Sequence, residues 1–143
     1  MPDVIKLLEQ DHREVEDLFA KAESTTGAAK QQVVTKIASE LTIHAEAEEQ
    51  FVYPAMRQAG LGQMVDEAEV EHQKVKDLVA QLEAMDGATA EVDATLEQLK
   101  ADVQHHVDEE ESEAFPKFRD AVDQQTLQTL ADQVRDLKQA QSG

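Results

Sequence analysis

The sequence predicts an all-α chain: an up-down-up-down four-helix bundle made of two duplicated helical hairpins, with a short fifth helix near the C-terminal end. Three observations predict it. Ala, Glu, Gln, Leu, Val and Lys dominate a chain with only five glycines and three prolines, which favours helix over strand. Apolar residues recur at alternating steps of three and four along four long stretches. The chain also repeats itself, since residues 11–20 resemble residues 71–80, and the segment 44–54 (HAEAEEQFVYP) returns as 106–116 (HVDEEESEAFP). At 143 residues the chain can bury one real core but not two ordinary ones, so residues 1–143 are expected to form a single domain, with its core in 3–120.

The first helix is expected from Asp3, as N-cap, to Glu23, with Ile5, Leu8, His12, Val15, Phe19 and Ala22 on one seam. Ser24, Thr25, Thr26 and Gly27 form a turn with a glycine stop. The second helix runs over 28–59 to Gly60, with Val34, Ile37, Leu41, His44, Glu48, Phe51 and Ala55 inward. Pro54 lacks an amide hydrogen and clashes with the carbonyl four residues back, so a kink or bulge is expected there.

After Gly60, Leu61 and Gly62, the third helix runs to Met85 with Val65, Ala68, His72, Val75, Val79 and Leu82 inward, and Asp86 and Gly87 end it. The fourth covers 89–120 with Val92, Leu96, Leu99, Val103, His106 and Glu110 on its seam. His105 is rotated about 100° away from that stripe by the 3.6-residue turn. A fifth helix over 124–139 carries Leu127, Leu130, Val134 and Leu137 and can dock across the bundle. The short connections make neighbouring helices antiparallel.

Six polar residues interrupt these apolar seams: His12, His44, Glu48, His72, His106 and Glu110. His44 and Glu48, like His106 and Glu110, are four apart, so each pair leaves its helix on one face, one turn apart. Burying carboxylates and imidazoles costs several kcal/mol unless they are paired, hydrogen-bonded or coordinated. No Lys or Arg lies in the seams to pair the two glutamates. A closed polar network without a cation would need every group satisfied; two facing His/Glu pairs holding metal satisfy them more simply.

Charge and composition exclude much else. A net charge of -18 repels phosphate backbones and anionic headgroups, so neither nucleic acid nor membrane is an expected partner. There is no cysteine, which removes disulfides, thiolate catalysis and iron–sulfur clusters and leaves His, Glu, Asp and Tyr as metal donors. No apolar run reaches the length of a membrane span, and the amino terminus lacks the basic and then apolar regions of a signal peptide, so a cytoplasmic location is expected.

The pattern His12, His44-x3-Glu48, His72, His106-x3-Glu110, duplicated and with Tyr53-Pro54 or Phe115-Pro116 after each glutamate, resembles the hemerythrin-like (HHE cation-binding) family over residues 3–120. That resemblance implies a non-heme di-iron centre inside the bundle, two iron ions joined by an oxo or hydroxo group. Glu48 and Glu110 would bridge them, with the four histidines as terminal ligands. Oxygen-carrying hemerythrins have a further histidine in a His-x3-His pair on the third helix, whereas the positions four residues from His72 are Ala68 and Lys76. One iron therefore lacks a nitrogen ligand, which argues against reversible oxygen carriage.

Tyr53, the only tyrosine, is the candidate substitute through its phenolate; the alternative is a tyrosine packed at the bundle end with its hydroxyl in water. A competing assignment uses Glu9-x2-His12 and Glu69-x2-His72 as in ferritin-like bundles, but it strands His44 and His106 and needs Glu9 and Glu69 where Leu8 and Ala68 occupy the stripe. The expected function is reaction of the iron site with a small oxidant, O2, hydrogen peroxide or nitric oxide, including catalase-like peroxide decomposition. The alternative is a module that senses, binds or buffers iron or oxygen without turnover. A metal-free scaffold bundle is the third reading.

Overall fold

The computed structural model describes residues 2–85 and 89–142. Among them there is helix and no strand. Four rods follow one another: α1 (Val4–Glu23), α2 (Gly27–Ala47) continued through a π-turn into α3 (Tyr53–Gln58), α4 (Gly62–Ala84), and α5 (Ala90–Glu109) continued through a second π-turn into α6 (Phe115–Ala121). A last helix, α7 (Gln124–Ser142), packs against α1, α2 and the first π-turn.

The ends of these helices follow local chemistry. Asp3 caps α1 by accepting from the Lys6 amide at 3.0 Å, as expected from its position, and Thr89 caps α5 through the Val92 amide at 3.3 Å. After α3, Gly60 takes a left-handed φ of 91°. The Gly60 and Leu61 amides then turn back to the Arg57 and Met56 carbonyls, a Schellman close that only glycine makes without strain. Gly27 also takes a left-handed φ, 59°, but as the first residue of α2; α1 closes earlier, with the Ser24 amide on the Lys21 carbonyl, so the expected glycine stop is the start of the next helix. The expected stop at Asp86 and Gly87 lies outside the described residues.

The distortion expected at Pro54 is a π-turn over Glu48–Val52, and its repeat before Pro116 spans Glu110–Ala114. Hydrogen bonds there reach back five residues, Tyr53 to the Glu48 carbonyl and Phe115 to the Glu110 carbonyl. The wider turn shifts the helix phase, which corrects the expected stripe. Val52, Tyr53 and Met56 are buried, and the expected Phe51 and Ala55 are only half-buried. The seam expected for α1 is buried at every position.

The buried apolar side chains form two clusters. One gathers Val4, Ile5, Leu8, Val52, Met56, Val65, Phe115, Phe118 and the α7 residues Leu127, Leu130, Ala131 and Val134. The other gathers Val15, Phe19, Val34, Ile37, Leu41, Val79, Leu82, Val92, Leu96 and Leu99. His12, His44, His72, His106 and Glu110 fall between the two clusters in the sequence, and Glu48 lies at the edge of the first, directly after Ala47. The site is therefore a polar layer with hydrophobic core on both sides, where water is excluded and charges interact strongly. No helix among the described residues is long and apolar enough to cross a membrane.

Candidate metal centre

All six seam residues are buried, and all six meet. Glu48, on the first π-turn and 0 % exposed, places Oε1 3.2 Å from His44 Nε2 and 3.0 Å from His72 Nε2. Glu110, on the second π-turn, places Oε1 3.3 Å from His12 Nε2 and Oε2 3.2 Å from His106 Nε2. Each glutamate thus faces a histidine from either hairpin. Two overlapping donor groups result, Glu48 with His72, His106 and Glu110, and His12 with His44 and Glu110; within each, the donor atoms lie within 4.8 Å of one another.

Tyr53 joins the first group. Its hydroxyl donates to Glu110 Oε2 at 2.9 Å and lies 3.0 Å from His72 Nε2 and 3.4 Å from His106 Nε2. The π-turn puts it there, because residue 53 falls about one wide turn beyond Glu48 instead of swinging past it. Burial, then the charges of Glu48 and Glu110, hold the phenol well above its ordinary pKa, so it carries its proton. Phe115, its counterpart, has no donor and lies parallel to the His12 ring, with centroids 6.1 Å apart and planes 3° apart. The duplicated site is unequal at this point.

The sequence reading missed the next layer. Every site histidine turns Nε2 inward and donates from Nδ1 to another carboxylate: His12 to Glu111 at 2.7 Å, His44 to Asp11 at 2.8 Å, His72 to Glu49 at 2.8 Å and His106 to Glu71 at 2.7 Å. Such a bond fixes the tautomer that leaves the Nε2 lone pair facing the centre. Each carboxylate in turn meets a basic group. Glu111 meets Arg13, Asp11 meets Lys138, Glu49 meets Lys76, and Glu71 lies 3.2 Å from His105. A signal was present, because an acid precedes both His12 and His72, and an acid follows both Glu48 and Glu110.

Several atoms at the centre have no hydrogen-bond partner although they are fully buried: His12 Nε2, His44 Nε2, Glu48 Oε2 and Glu110 Oε1. Lone pairs facing one another across about 3 Å of water-excluded space call for a cation between them. Without a metal, protons are the cation at hand. Burial opposes charge on His44, but Glu48 and Asp11 outweigh it and push its pKa up to about 10. His72 and His106 are raised against the same burial, chiefly by Glu48 and by Glu110 respectively. Glu48, also opposed by burial, is held well below its ordinary value by His44 and by hydrogen bonds. Nitrogen and carboxylate donors in this ratio suit transition-metal ions better than Mg2+ or Ca2+.

His105 stays outside, as its phase predicts; it is 66 % exposed and pairs with Glu109 and Glu71. Glu9 and Glu69 are also outside, Glu69 being bound to Arg57 at the surface and Glu9 lining a surface groove with Lys6. The ferritin-like assignment has no support in this arrangement. Beside the centre, between α1, α2, α4 and α5, lies a cavity of about 40 Å³ lined by the four histidines, by Asp11 and by valine, leucine and alanine side chains.

Comparison with known proteins agrees with this geometry. The chain is 30% identical over 137 residues to a DNA nickase of Nostoc sp. (strain PCC 7120 / SAG 25.82 / UTEX 2576), covering 95% of this chain but only 38% of that longer protein. Its fold is similar to the crystal structure of a hemerythrin HHE cation binding domain-containing protein from Mycobacterium kansasii, with a TM-score of 0.86 at 20% identity over 99% of this chain and 89% of the other. Residues 3–118 match the family described as hemerythrin HHE cation binding domain. The chain, with its four inward histidines and two buried glutamates, belongs to the hemerythrin HHE cation-binding family.

Proposed function

We propose that this centre binds two iron ions and reacts with a small oxidant, namely O2, hydrogen peroxide or nitric oxide. His12 and His44 would hold one ion and His72 and His106 the other, with Glu48 and Glu110 shared between them. Tyr53 would complete the second position, where its hydroxyl already reaches Glu110 and His72. One observation carries the reading: two donor groups overlap at Glu110, and buried atoms on His12, His44, Glu48 and Glu110 make no hydrogen bond among the described residues. We read the four rods as an up-down-up-down bundle in a single domain.

Bound iron would supply one-electron chemistry toward the oxidant. The protein's own groups do the rest. Outer carboxylates hold each imidazole in register, and Phe115 offers no donor opposite Tyr53, so the His12/His44 side is the less filled of the two. The cavity of about 40 Å³ beside the centre exceeds the roughly 10–15 Å³ that a water needs, so it has room for a ligand as small as the proposed oxidants. Peroxide decomposition would convert two H2O2 into two H2O and one O2, with no external reductant. The nickase activity of the longer relative is not carried over, because a chain of charge -18 repels a phosphate backbone.

The test is to load the purified protein with ferrous iron, measure iron per chain and the ultraviolet-visible spectrum, and add peroxide, O2 and nitric oxide separately. About two irons per chain are expected, as in other carboxylate-rich bundles with paired metals, with catalytic loss of peroxide. Stoichiometric spectral change without turnover would favour the sensing or buffering alternative. Failure to retain iron would overturn the reading.

A further inference from the structure

The outer layer of the centre repeats one device four times: imidazole, carboxylate, basic group. Three of the basic groups come from the duplicated hairpins, Arg13 from α1, Lys76 from α4 and His105 from α5. The fourth does not. Lys138 lies on α7, beyond residue 118, where the family match ends. Its Nζ meets Asp11 Oδ1, while Asp11 Oδ2 holds His44 Nδ1 at 2.8 Å.

This pair is also the most enclosed of the four. The Asp11 side chain is 9 % exposed, against 18 % for Glu71, 25 % for Glu111 and 33 % for Glu49. Solvent screens a charge pair less as burial increases, so Asp11 depends on its basic partner more than the other three carboxylates do on theirs. The approach is fixed by packing: Leu127, Leu130, Ala131 and Val134 seat α7 in the core cluster that also holds Leu8 of α1, and Lys138 follows one turn after Val134.

Resting on the metal-site reading above, we infer that Lys138 is a positioning residue of the centre. It orients Asp11, Asp11 orients His44, and the docked C-terminal helix thereby becomes part of the metal site. Metal retention at His44 and docking of α7 are then linked, each favouring the other.

The test uses the full chain with Lys138→Met, which keeps the stem, Lys138→Arg, which keeps the charge, and Arg135→Met as control. Arg135 is on the same helix but bonds to Asp132 and the Pro2 carbonyl, away from the centre. With ferrous iron loaded, K138M should release iron to a chelator roughly tenfold faster, the low end of the range for changes behind a metal-binding histidine. K138R should restore the parent rate and R135M should match it. In the metal-free protein, the His44 Nδ1–H signal in an imidazole 15N–1H spectrum should be sharp in the parent and R135M and lost to exchange in K138M. Equal iron release by K138M and R135M, or an unchanged His44 signal in K138M, would overturn the inference. If the parent retains no iron, the di-iron reading fails while the imidazole signal still decides the role of Lys138.

Discussion

His12 Nδ1 lies 2.7 Å from Glu111 Oε2, across 99 positions of the chain, and the counterpart bond joins His72 to Glu49 at 2.8 Å. The two hairpins exchange carboxylates here: the histidine of each is oriented by an acid of the other. Asp11 with His44, and Glu71 with His106, make the bonds that stay within a hairpin. Orientation of these imidazoles therefore depends on the hairpins being docked together.

Removing either exchanged carboxylate should weaken metal retention without touching a donor to the metal. Glu111→Ala and Glu49→Ala are each expected to lower iron affinity about 10–100-fold, measured by competition with a chelator. Affinity equal to the parent in both variants would show that these bonds do not orient the imidazoles.

The shared glutamates should matter more. Glu48→Ala or Glu110→Ala should lose most of the iron and, with it, the stability that metal adds to the folded state, about 2.7 kcal/mol at a free metal concentration one hundred times Kd. Iron analysis and thermal unfolding with and without ferrous iron measure both effects. Full loading with an unchanged spectrum in the two variants would remove these residues from the site.

Two double variants separate the His-rich centre from the ferritin-like assignment. His44→Ala with His106→Ala should abolish binding of the iron pair, whereas Glu9→Ala with Glu69→Ala should leave it in place, since neither glutamate reaches the centre. Iron per chain is the readout, and the reverse result would mean the wrong donors were chosen.

Tyr53→Phe removes one oxygen from a fully packed ring. If the phenolate binds ferric iron, the parent should show a broad visible absorption that the variant lacks, with iron content close to the parent's and altered kinetics with peroxide or nitric oxide. Identical spectra and kinetics would return Tyr53 to a purely structural hydrogen bond with Glu110.

Asp3 supplies a pH-dependent element far from the metal donors. Burial opposes its ionisation, but the Arg119 hydrogen bond at 2.7 Å, the Lys6 amide and Gln124 outweigh burial and hold its pKa below the ordinary value. With the folded value depressed, the stabilisation is complete above the unfolded pKa of about 3.9 and disappears as pH falls through the folded value. Asp3→Asn keeps a good N-cap but loses the ion pair with Arg119, so it should melt below the parent at pH 7 by the equivalent of at most about 1 kcal/mol. The gap should close at the acid end of that window; a gap independent of pH would show that the carboxylate charge contributes nothing.

The seam residues were legible in the sequence because helical periodicity is a local property. A three-and-four spacing places Leu8, His12 and Val15 on one face whatever they later touch, and duplication at offsets of 60 and 62 brings a second set of donors into line with the first. Asp3 as a cap and His105 as an outward residue follow from the same local geometry. Proline announced a distortion, but not its form. Only the folded chain shows a π-turn that adds one residue of phase, buries Val52 and Met56 in place of Phe51 and Ala55, and swings the Tyr53 hydroxyl onto Glu110.

The outer carboxylates were only faintly legible: their places beside His12, His72, Glu48 and Glu110 repeat, but the repeat does not say which group each of them holds. Asp11, Glu49, Glu71 and Glu111 sit among 31 acidic residues that look alike in the sequence, and each gains its role from a histidine on another helix. Lys138 is the extreme case, since it reaches Asp11 across 127 positions of the chain. Periodicity assigns a residue to a face of its own helix, whereas the partner across the interface is set by how separate helices dock, and that is decided only when the core packs.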